Sequence, residues 1–127
     1  MTTVAFLGLG AIGDPMARQI AQEDEFALAV WNRSGHKASE FAAKHRARHA
    51  ATPADAAAGA RFVVTCLSTS ADVEALLDGP SGLEAGLQEG AVLIDCTSGD
   101  PATSRRIATR LAKHRSEERR VGKECRL

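Results

Sequence analysis

A glycine-rich segment near the start of the chain has the spacing of a phosphate-binding turn. Gly8-Leu9-Gly10-Ala11-Ile12-Gly13 is a GxGxxG sequence that follows the apolar run Val4–Leu7 and precedes a stretch with Met16 and Ile20 at helical spacing. In such a unit the first glycine permits a tight turn, the second lets a pyrophosphate approach the backbone, and the third lets helix and strand pack closely. The segment therefore predicts a dinucleotide-binding turn, with an ordinary glycine-rich turn as the alternative.

The residues after the second apolar run bear on which dinucleotide binds. An Asp or Glu here would accept hydrogen bonds from the ribose hydroxyls of NAD and repel a 2′-phosphate. This chain instead has Asn32-Arg33-Ser34 after Ala27–Trp31. A guanidinium pairs with phosphate through charge-assisted hydrogen bonds, and Asn32 and Ser34 can add neutral ones. We expect NADP(H) rather than NAD(H); the alternative is a solvated Arg33 that selects neither cofactor.

Short apolar runs alternate with amphipathic stretches, which predicts βαβ units and a parallel sheet. Helix starts are indicated by Thr52 before Pro53, by Ser70 as a cap, and by Asp100 before Pro101. The expected fold is an α/β, Rossmann-type, doubly wound parallel sheet with a cleft at the carboxyl ends of its strands. The expected strands lie near residues 3–8, 27–31, 46–50, 61–67 and 91–95.

Composition narrows the class of protein. The 127 residues suffice for one domain, 44% are hydrophobic and 25% charged, and the formal net charge is zero. We therefore expect neither a nucleic acid partner nor a membrane partner, because there is no basic excess and no apolar run of roughly 18 residues. Cys66, Cys96 and Cys125 have no metal-ligand spacing, so we expect no metal and a reduced, cytoplasmic compartment.

Taken together, the motifs resemble the β-hydroxyacid dehydrogenase family, which includes 3-hydroxyisobutyrate dehydrogenase and shares its N-terminal NADP-binding domain with 6-phosphogluconate dehydrogenase. Residues 8–16 look like the family's GLGxMGxxM, with Ile12 where Met is usual. Residues 31–34 are similar to its NADP-type NRT/S segment, and residues 95–101 to its DxSTxxP segment with Thr and Ser exchanged. Residues 79–82 match its GxxG connector. The resemblance covers residues 3–113.

The resemblance implies an oxidoreductase that transfers hydride between NADP(H) and a small 3-hydroxy acid or semialdehyde, and a homo-oligomeric full-length parent. By the same resemblance, Leu67 and Ser68 line the nicotinamide side of the cofactor and Asp72 lies on its path. Thr97, Ser98 and Gly99 meet the substrate carboxylate, and Ser98 also meets the nicotinamide ribose. Small hydroxyls near a helix N-terminus suit a carboxylate; simple N-capping by Thr97 and Ser98 is the alternative.

The family's catalytic lysine follows a GxxGxGxxxK segment in a second, helical domain, and this chain contains no such segment. We therefore expect the 127-residue chain to be truncated before the last strands and that domain, and to be inactive alone. Two alternatives stay open: a fragment of an imine reductase, which shares the GLGxxG and WNRT signatures, and a cofactor-binding module with no catalysis of its own. Asp95 and the connector favour the hydroxyacid branch.

Residues 1–114 form the expected nucleotide-binding domain, and residues 115–127 are interpreted as a non-native tail. Arg115–Arg126 is the translation of a common sequencing adapter, beginning AGA TCG GAA GAG CGT, whereas Leu127 does not fit. The alternative is a genuine C-terminal extension. The tail has few apolar residues to offset the cost of ordering its backbone, so we expect it to contribute little to the fold.

Overall fold

Strands and helices alternate along the chain in a computed structural model, which describes residues 1–97, 99–112 and the backbone of 117–120. The strands are β1 (Thr2–Leu7), β2 (Phe26–Trp31), β3 (Arg48–His49), β4 (Phe62–Thr65), β5 (Val92–Asp95) and β6 (Glu117–Arg120). The helices are α1 (Gly13–Ala21), α2 (Gly35–Lys44), α3 (Pro53–Ala57), α4 (Ser70–Leu76), α5 (Leu83–Gly86) and α6 (Pro101–Ala112).

The strands form one sheet in the order β3-β2-β1-β4-β5-β6, and each neighbouring pair is parallel. This order reverses direction at β1, because the chain first builds outward to β3 and then returns to the other side of β1. Leu7 is in register with both Trp31 and Thr65, and Thr65 is in register with Asp95. The four strand ends are therefore level, and the expected Rossmann-type sheet is confirmed.

Helices cover both faces of the sheet, which explains why its strands are almost continuously apolar. Alternate residues of β1 point to opposite faces: Val4 and Phe6 pack with residues of α1 and α2, whereas Ala5 and Leu7 pack with residues of α3, α4, α5 and α6. All four of these side chains are buried. The two apolar layers fix the register of the sheet, since a slip of one residue would exchange every inward side chain.

Two helix starts were predicted correctly and one was not. Thr52 accepts a hydrogen bond from the Asp55 backbone N–H at the start of α3, and Asp100 accepts hydrogen bonds from residues in the first turn of α6. The predicted cap Ser70 is wrong: Thr69 caps α4. The hydroxyl of Ser70 instead accepts a 2.9 Å hydrogen bond from the backbone N–H of Asp100, which draws the start of α6 toward α4.

The edges of the sheet differ from the expectation. The third strand is only two residues long and exposed, since it pairs with β2 alone at an edge. Residues Glu117–Arg120 form a sixth strand beside β5, although the sequence places them in a tail outside the fold. The physical reason is that the outer edge of β5 presents unpaired backbone groups that any extended segment can satisfy. That the tail is non-native stays a prediction.

None of the helices in the described ranges is both long enough and apolar enough to cross a membrane.

Candidate cofactor-binding site

The carboxyl ends of β1, β2, β4 and β5 border a cleft of about 550 Å³. This is the place where the strand order reverses, and ligands of open parallel sheets bind at such a point. The cleft is lined by Gly8, Gly10, Ala11, Ile12, Gly13, Asn32, Arg33, Cys66, Leu67, Ser68, Asp72 and Cys96. Ten of these twelve are predicted cofactor-binding residues, so the structure brings most of the predicted set together.

Each glycine of the turn is constrained in a different way. Gly8 has φ +108°, and a Cβ there would overlap the carbonyl oxygen of Cys66. A Cβ at Gly13 would overlap the carbonyl oxygen of Gly8, so α1 packs directly on the turn. At Gly10, by contrast, a Cβ would meet nothing within 4 Å. The protein itself does not need a glycine at position 10, which is the pattern expected where a ligand, and not the protein, approaches the backbone.

The first turn of α1 faces the cleft. This turn is the positive end of the helix dipole. The backbone N–H of Asp14 donates to the Gly10 carbonyl oxygen at 3.0 Å and Pro15 has no backbone N–H, so donors for a ligand come from the residues that precede Asp14. Ile12 precedes the helix and is 70% exposed, which is unusual for a large apolar side chain in this protein. Backbone donors beside an exposed apolar side chain suit a dinucleotide, whose pyrophosphate is anionic and whose rings are flat and apolar.

Asn32 supports the turn instead of facing a ligand freely. Its Oδ1 accepts a 2.8 Å hydrogen bond from the backbone N–H of Leu9, and its Nδ2 donates to the carbonyl oxygen of Ser34 at 3.1 Å. The side chain of Leu9 is 4% exposed and lies in the core shared with α1 and α2. Leu9 therefore does not line the cleft, and Ser34 is exposed at the start of α2.

Arg33 and Asp72 meet across the cleft, although 39 positions separate them in the sequence. Nη2 of Arg33 lies 3.2 Å from Oδ1 of Asp72. The Arg33 side chain is 82% exposed, whereas that of Asp72 is 30% exposed. The sequence singled out both residues, but nothing in it indicated that they pair with each other.

The predicted substrate-binding residues Thr97, Ser98 and Gly99 follow the end of β5. Thr97 and Gly99 contact other parts of the protein. Thr97 is 3% exposed, and its Oγ1 accepts a 2.9 Å hydrogen bond from the backbone N–H of Leu67. It therefore supports a cleft-lining residue and is not the cap of α6. A Cβ at Gly99 would overlap the hydroxyl of Ser70, so this glycine is required by packing. Ser98, predicted to meet both cofactor and substrate, lies outside the described residues.

Asp95 is the buried centre of this group. It is 1% exposed, and its Oδ1 accepts hydrogen bonds from Thr65 Oγ1 at 3.0 Å and from the Thr97 backbone N–H at 2.9 Å. Its Oδ2 is buried and has no hydrogen-bond partner in the described part of the chain. One carboxylate thus joins β4 and β5 immediately below the cleft, which fixes the separation of the two strand ends.

Two cysteines line the cleft and were missed as site residues by sequence reasoning. Cys66 and Cys96 directly follow Thr65 and Asp95, which are in register, so the two cysteines lie side by side at the strand ends. Burial, and secondarily the carboxylate of Asp95, raise the pKa of the Cys66 thiol. The available signal was positional: the residue after a strand of a doubly wound sheet borders the cleft. Among residues 1–97 and 99–112, no group of three potential ligands could hold a metal ion.

The chain is similar in sequence to known dehydrogenases and reductases. Residues 3–118 match the family described as the NAD binding domain of 6-phosphogluconate dehydrogenase. The chain is 35% identical over 114 residues to 3-sulfolactaldehyde reductase from Escherichia coli, covering 89% of the chain and 38% of the relative. It is 30% identical to human mitochondrial 3-hydroxyisobutyrate dehydrogenase, covering 88% of the chain and 33% of that protein.

Among solved structures, 3-hydroxyisobutyrate dehydrogenase from Mycobacterium tuberculosis superimposes with a TM-score of 0.83 and 25% identity, covering 94% of the chain and 40% of the other. An imine reductase from Myxococcus stipitatus, solved in complex with NADP⁺, gives a TM-score of 0.81 and 28% identity, covering 93% and 39%. The chain thus spans little more than a third of the length of the curated relatives it matches.

Proposed function

Because the chain belongs to the β-hydroxyacid dehydrogenase family, as an NAD(P)-binding domain of the 6-phosphogluconate dehydrogenase type, we propose that it binds NADP(H) for an oxidoreductase of small 3-hydroxy acids or semialdehydes. The proposal has two parts, which rest on different residues. One is the choice of NADP(H) over NAD(H), and the other is the substrate and the reaction.

The choice of cofactor rests on one observation, the presence of Arg33 where an acidic residue would select NAD. Arg33 follows β2, lines the same cleft as the glycine turn, and is 82% exposed, so its guanidinium is available to a phosphate. A guanidinium and a 2′-phosphate form short, charge-assisted hydrogen bonds. Ser34 is exposed beside it and can add a hydroxyl donor.

The remaining cofactor contacts follow from the shape of the cleft. The turn from Gly8 to Gly13 and the first turn of α1 would hold the pyrophosphate, with Gly10 leaving room for it. Leu67 and Ser68 would flank the nicotinamide, at the level set by the hydrogen bond from Leu67 to Thr97. When bound, the cofactor supplies or accepts a hydride at its nicotinamide ring.

The titratable side chains of the cleft bear on the source of the proton for the substrate oxygen. In the described part of the chain, the titratable side chains that line the cleft are Arg33, Asp72, Cys66 and Cys96. Arg33 and Asp72 pair with each other, and the raised pKa of Cys66 makes its thiol a poor acid. We therefore propose that the chain binds cofactor but does not turn over substrate alone, and that a further part of the parent protein supplies the acid.

The proposal of a small acid as substrate is supported by the names of the relatives and by the residues that follow β5. The names of two relatives denote a hydroxy acid and a sulfonated aldehyde, both small and anionic. We propose that Thr97, Ser98 and Gly99 contribute to binding the carboxylate. The Thr97 backbone N–H already donates to Asp95 and its hydroxyl oxygen accepts from Leu67, so the hydroxyl hydrogen is the donor that Thr97 would offer. The imine reductase alternative is favoured by one observation, the structural similarity to an NADP⁺ complex of that class.

Binding measurements test the cofactor proposal directly. Trp31 is the single tryptophan and directly precedes Asn32, so its fluorescence can report binding in the cleft. We expect NADPH to bind the 127-residue chain more tightly than NADH, and equal affinities would contradict the proposal. For the reaction, NADPH oxidation would be assayed with a semialdehyde and a cyclic imine. Robust turnover of either substrate by the isolated chain would contradict the proposal that the proton donor lies in another part of the parent protein.

A further inference from the structure

The ion pair between Arg33 and Asp72 has a consequence for cofactor choice. We propose that Asp72 is a specificity-determining residue, which competes with the cofactor's 2′-phosphate for Arg33 and so weakens the preference for NADP(H). This inference rests on the proposed function, since it assumes that Arg33 binds the 2′-phosphate. It assigns to Asp72 a role opposite to that of a simple cofactor contact.

The two partners differ in how firmly they are held. Asp72 is the third residue of α4, and its backbone N–H donates to the Thr69 hydroxyl at 3.1 Å, so the carboxylate projects from a capped helix turn. Arg33 follows a strand and has a long, largely exposed side chain. Arg33 can therefore turn from one anion to another, whereas Asp72 stays where it is.

The geometry of the pair makes an exchange of partners feasible. The two side chains are joined by one hydrogen bond of 3.2 Å between Nη2 and Oδ1, not by the two parallel hydrogen bonds of a strong arginine–carboxylate pair. Exposed ion pairs of this kind shift an equilibrium by about fivefold at most. A phosphate dianion offers three acceptor oxygens and twice the charge, so it can displace the carboxylate.

After this exchange, the carboxylate of Asp72 lies beside the 2′-phosphate that Arg33 now binds. A negative charge close to the 2′-phosphate repels it, whereas a ribose 2′-hydroxyl would meet a hydrogen-bond acceptor instead. Both effects lower the ratio of NADPH to NADH affinity. In the described part of the chain, no cation besides Arg33 pairs with the Asp72 side chain, so no second cation neutralises the carboxylate there.

Removing the carboxyl charge tests the inference. We would measure the Kd of NADPH and NADH by Trp31 fluorescence for Asp72→Asn, Arg33→Ala and the double variant in the 127-residue chain. Asp72→Asn should tighten NADPH binding by about two- to fivefold and leave NADH binding unchanged or slightly weaker. In the Arg33→Ala background, the gain for NADPH should be at least halved, because the competition for the guanidinium is gone.

Glu74→Gln is the matched control, because Glu74 lies on the same helix and pairs with Arg106 away from the cleft. It removes the same charge and should change neither affinity. The inference is overturned if Asp72→Asn fails to tighten NADPH binding, if Glu74→Gln tightens it equally, or if the gain persists in full without Arg33. Melting temperatures, and Asp72→Ser as a second variant, guard against a folding effect. A failure confined to the Asp72 variants leaves the proposed function standing, whereas equal losses of both cofactors in Arg33→Ala would remove its basis.

Discussion

The amide oxygen of Asn32 accepts a 2.8 Å hydrogen bond from the backbone N–H of Leu9, and so ties the end of β2 to the glycine turn after β1. The same side chain donates to the Ser34 carbonyl oxygen. Asn32 thus holds together the two segments proposed to bind the pyrophosphate and the 2′-phosphate. Its role is to position both, which makes its loss distinguishable from the loss of a residue that touches one phosphate.

Replacing Asn32 should therefore weaken both cofactors alike. In Asn32→Ala the half-buried N–H of Leu9 loses its acceptor, at a cost of about 1–3 kcal/mol, and the turn loses its fixed position. We expect comparable losses of NADPH and NADH affinity in the fluorescence titration. Asn32→Asp keeps an acceptor for Leu9 but places a negative charge beside Arg33, so it should spare NADH and weaken NADPH. A selective loss in Asn32→Ala would show that Asn32 reads the phosphate directly.

Arg33→Ala should affect one cofactor and not the other. We expect NADPH binding to weaken by about 1–3 kcal/mol, the range for a lost hydrogen bond to a charged group, with little change for NADH. Arg46→Ala is the control, because Arg46 is also exposed and also pairs with a carboxylate, that of Asp24. Isothermal titration of each variant with both cofactors measures the difference. Equal losses for NADPH and NADH would mean that Arg33 supports the loop.

Two glycines of the turn should respond to alanine in opposite ways. Gly13→Ala places a methyl group against the Gly8 carbonyl and near the ring of Phe6, so we expect a destabilisation of about 1–3 kcal/mol, typical of an overpacked site. Gly10→Ala meets no protein atom within 4 Å, so its stability should be unchanged while cofactor binding weakens. Urea unfolding curves and cofactor titrations of the two variants separate these effects. Unchanged binding in Gly10→Ala would indicate that no ligand approaches that backbone.

The Cys66 thiol should gain reactivity when Asp95 loses its charge. Burial and the Asp95 carboxylate both raise the pKa of Cys66, so Asp95→Asn should lower that pKa toward its ordinary value. Alkylation of Cys66 by iodoacetamide at mildly alkaline pH, followed by peptide mass spectrometry, should then be faster in the variant. Asp78→Asn, which removes a carboxylate paired with Arg110, is the control. An unchanged rate in Asp95→Asn would show that burial alone protects the thiol.

The same shift makes a prediction for stability. The pKa of Cys66 is higher in the folded chain than in the unfolded chain, so its contribution to the free energy of unfolding is fully present below the unfolded pKa. That contribution is lost as the pH rises from the unfolded pKa to the folded pKa, because over this range the unfolded thiol ionises while the folded thiol stays protonated. A Cys66→Ser variant should therefore lose less stability between neutral and strongly alkaline pH than the original chain.

Deleting residues 115–127 should change the melting temperature by a few degrees at most. The strand Glu117–Arg120 pairs with β5 through backbone groups, and each hydrogen bond contributes about 0.5–1.5 kcal/mol net. Ordering each residue costs about 1–2 kcal/mol, so the two effects nearly cancel. Differential scanning calorimetry with and without the segment checks this. A large drop in melting temperature would show that the segment is an integral strand and count against an adapter origin.

The sequence by itself determined the class of fold and the place of the site. Apolar runs alternating with amphipathic stretches can bury both faces of a sheet only if helices cover it on both sides. Gly8, Gly10 and Gly13 indicated the turn, because their spacing between an apolar strand and an amphipathic helix can be read directly along the chain. Arg33 was likewise visible, since it occupies a fixed position after the second strand.

Only the tertiary structure decided which of these residues act on a ligand and which act on each other. Asn32 and Thr97 carry the right polar groups for a cofactor, yet each holds a backbone N–H, of Leu9 and of Leu67 respectively. Arg33 and Asp72 form a pair only because parallel strands bring the segments after β2 and β4 to the same edge of the sheet. Whether a hydrogen bond forms between segments 20 or more residues apart depends on differences of a few tenths of an ångström in the donor–acceptor distance. A pattern along the chain does not contain those distances, because they are set by the packing of the whole core.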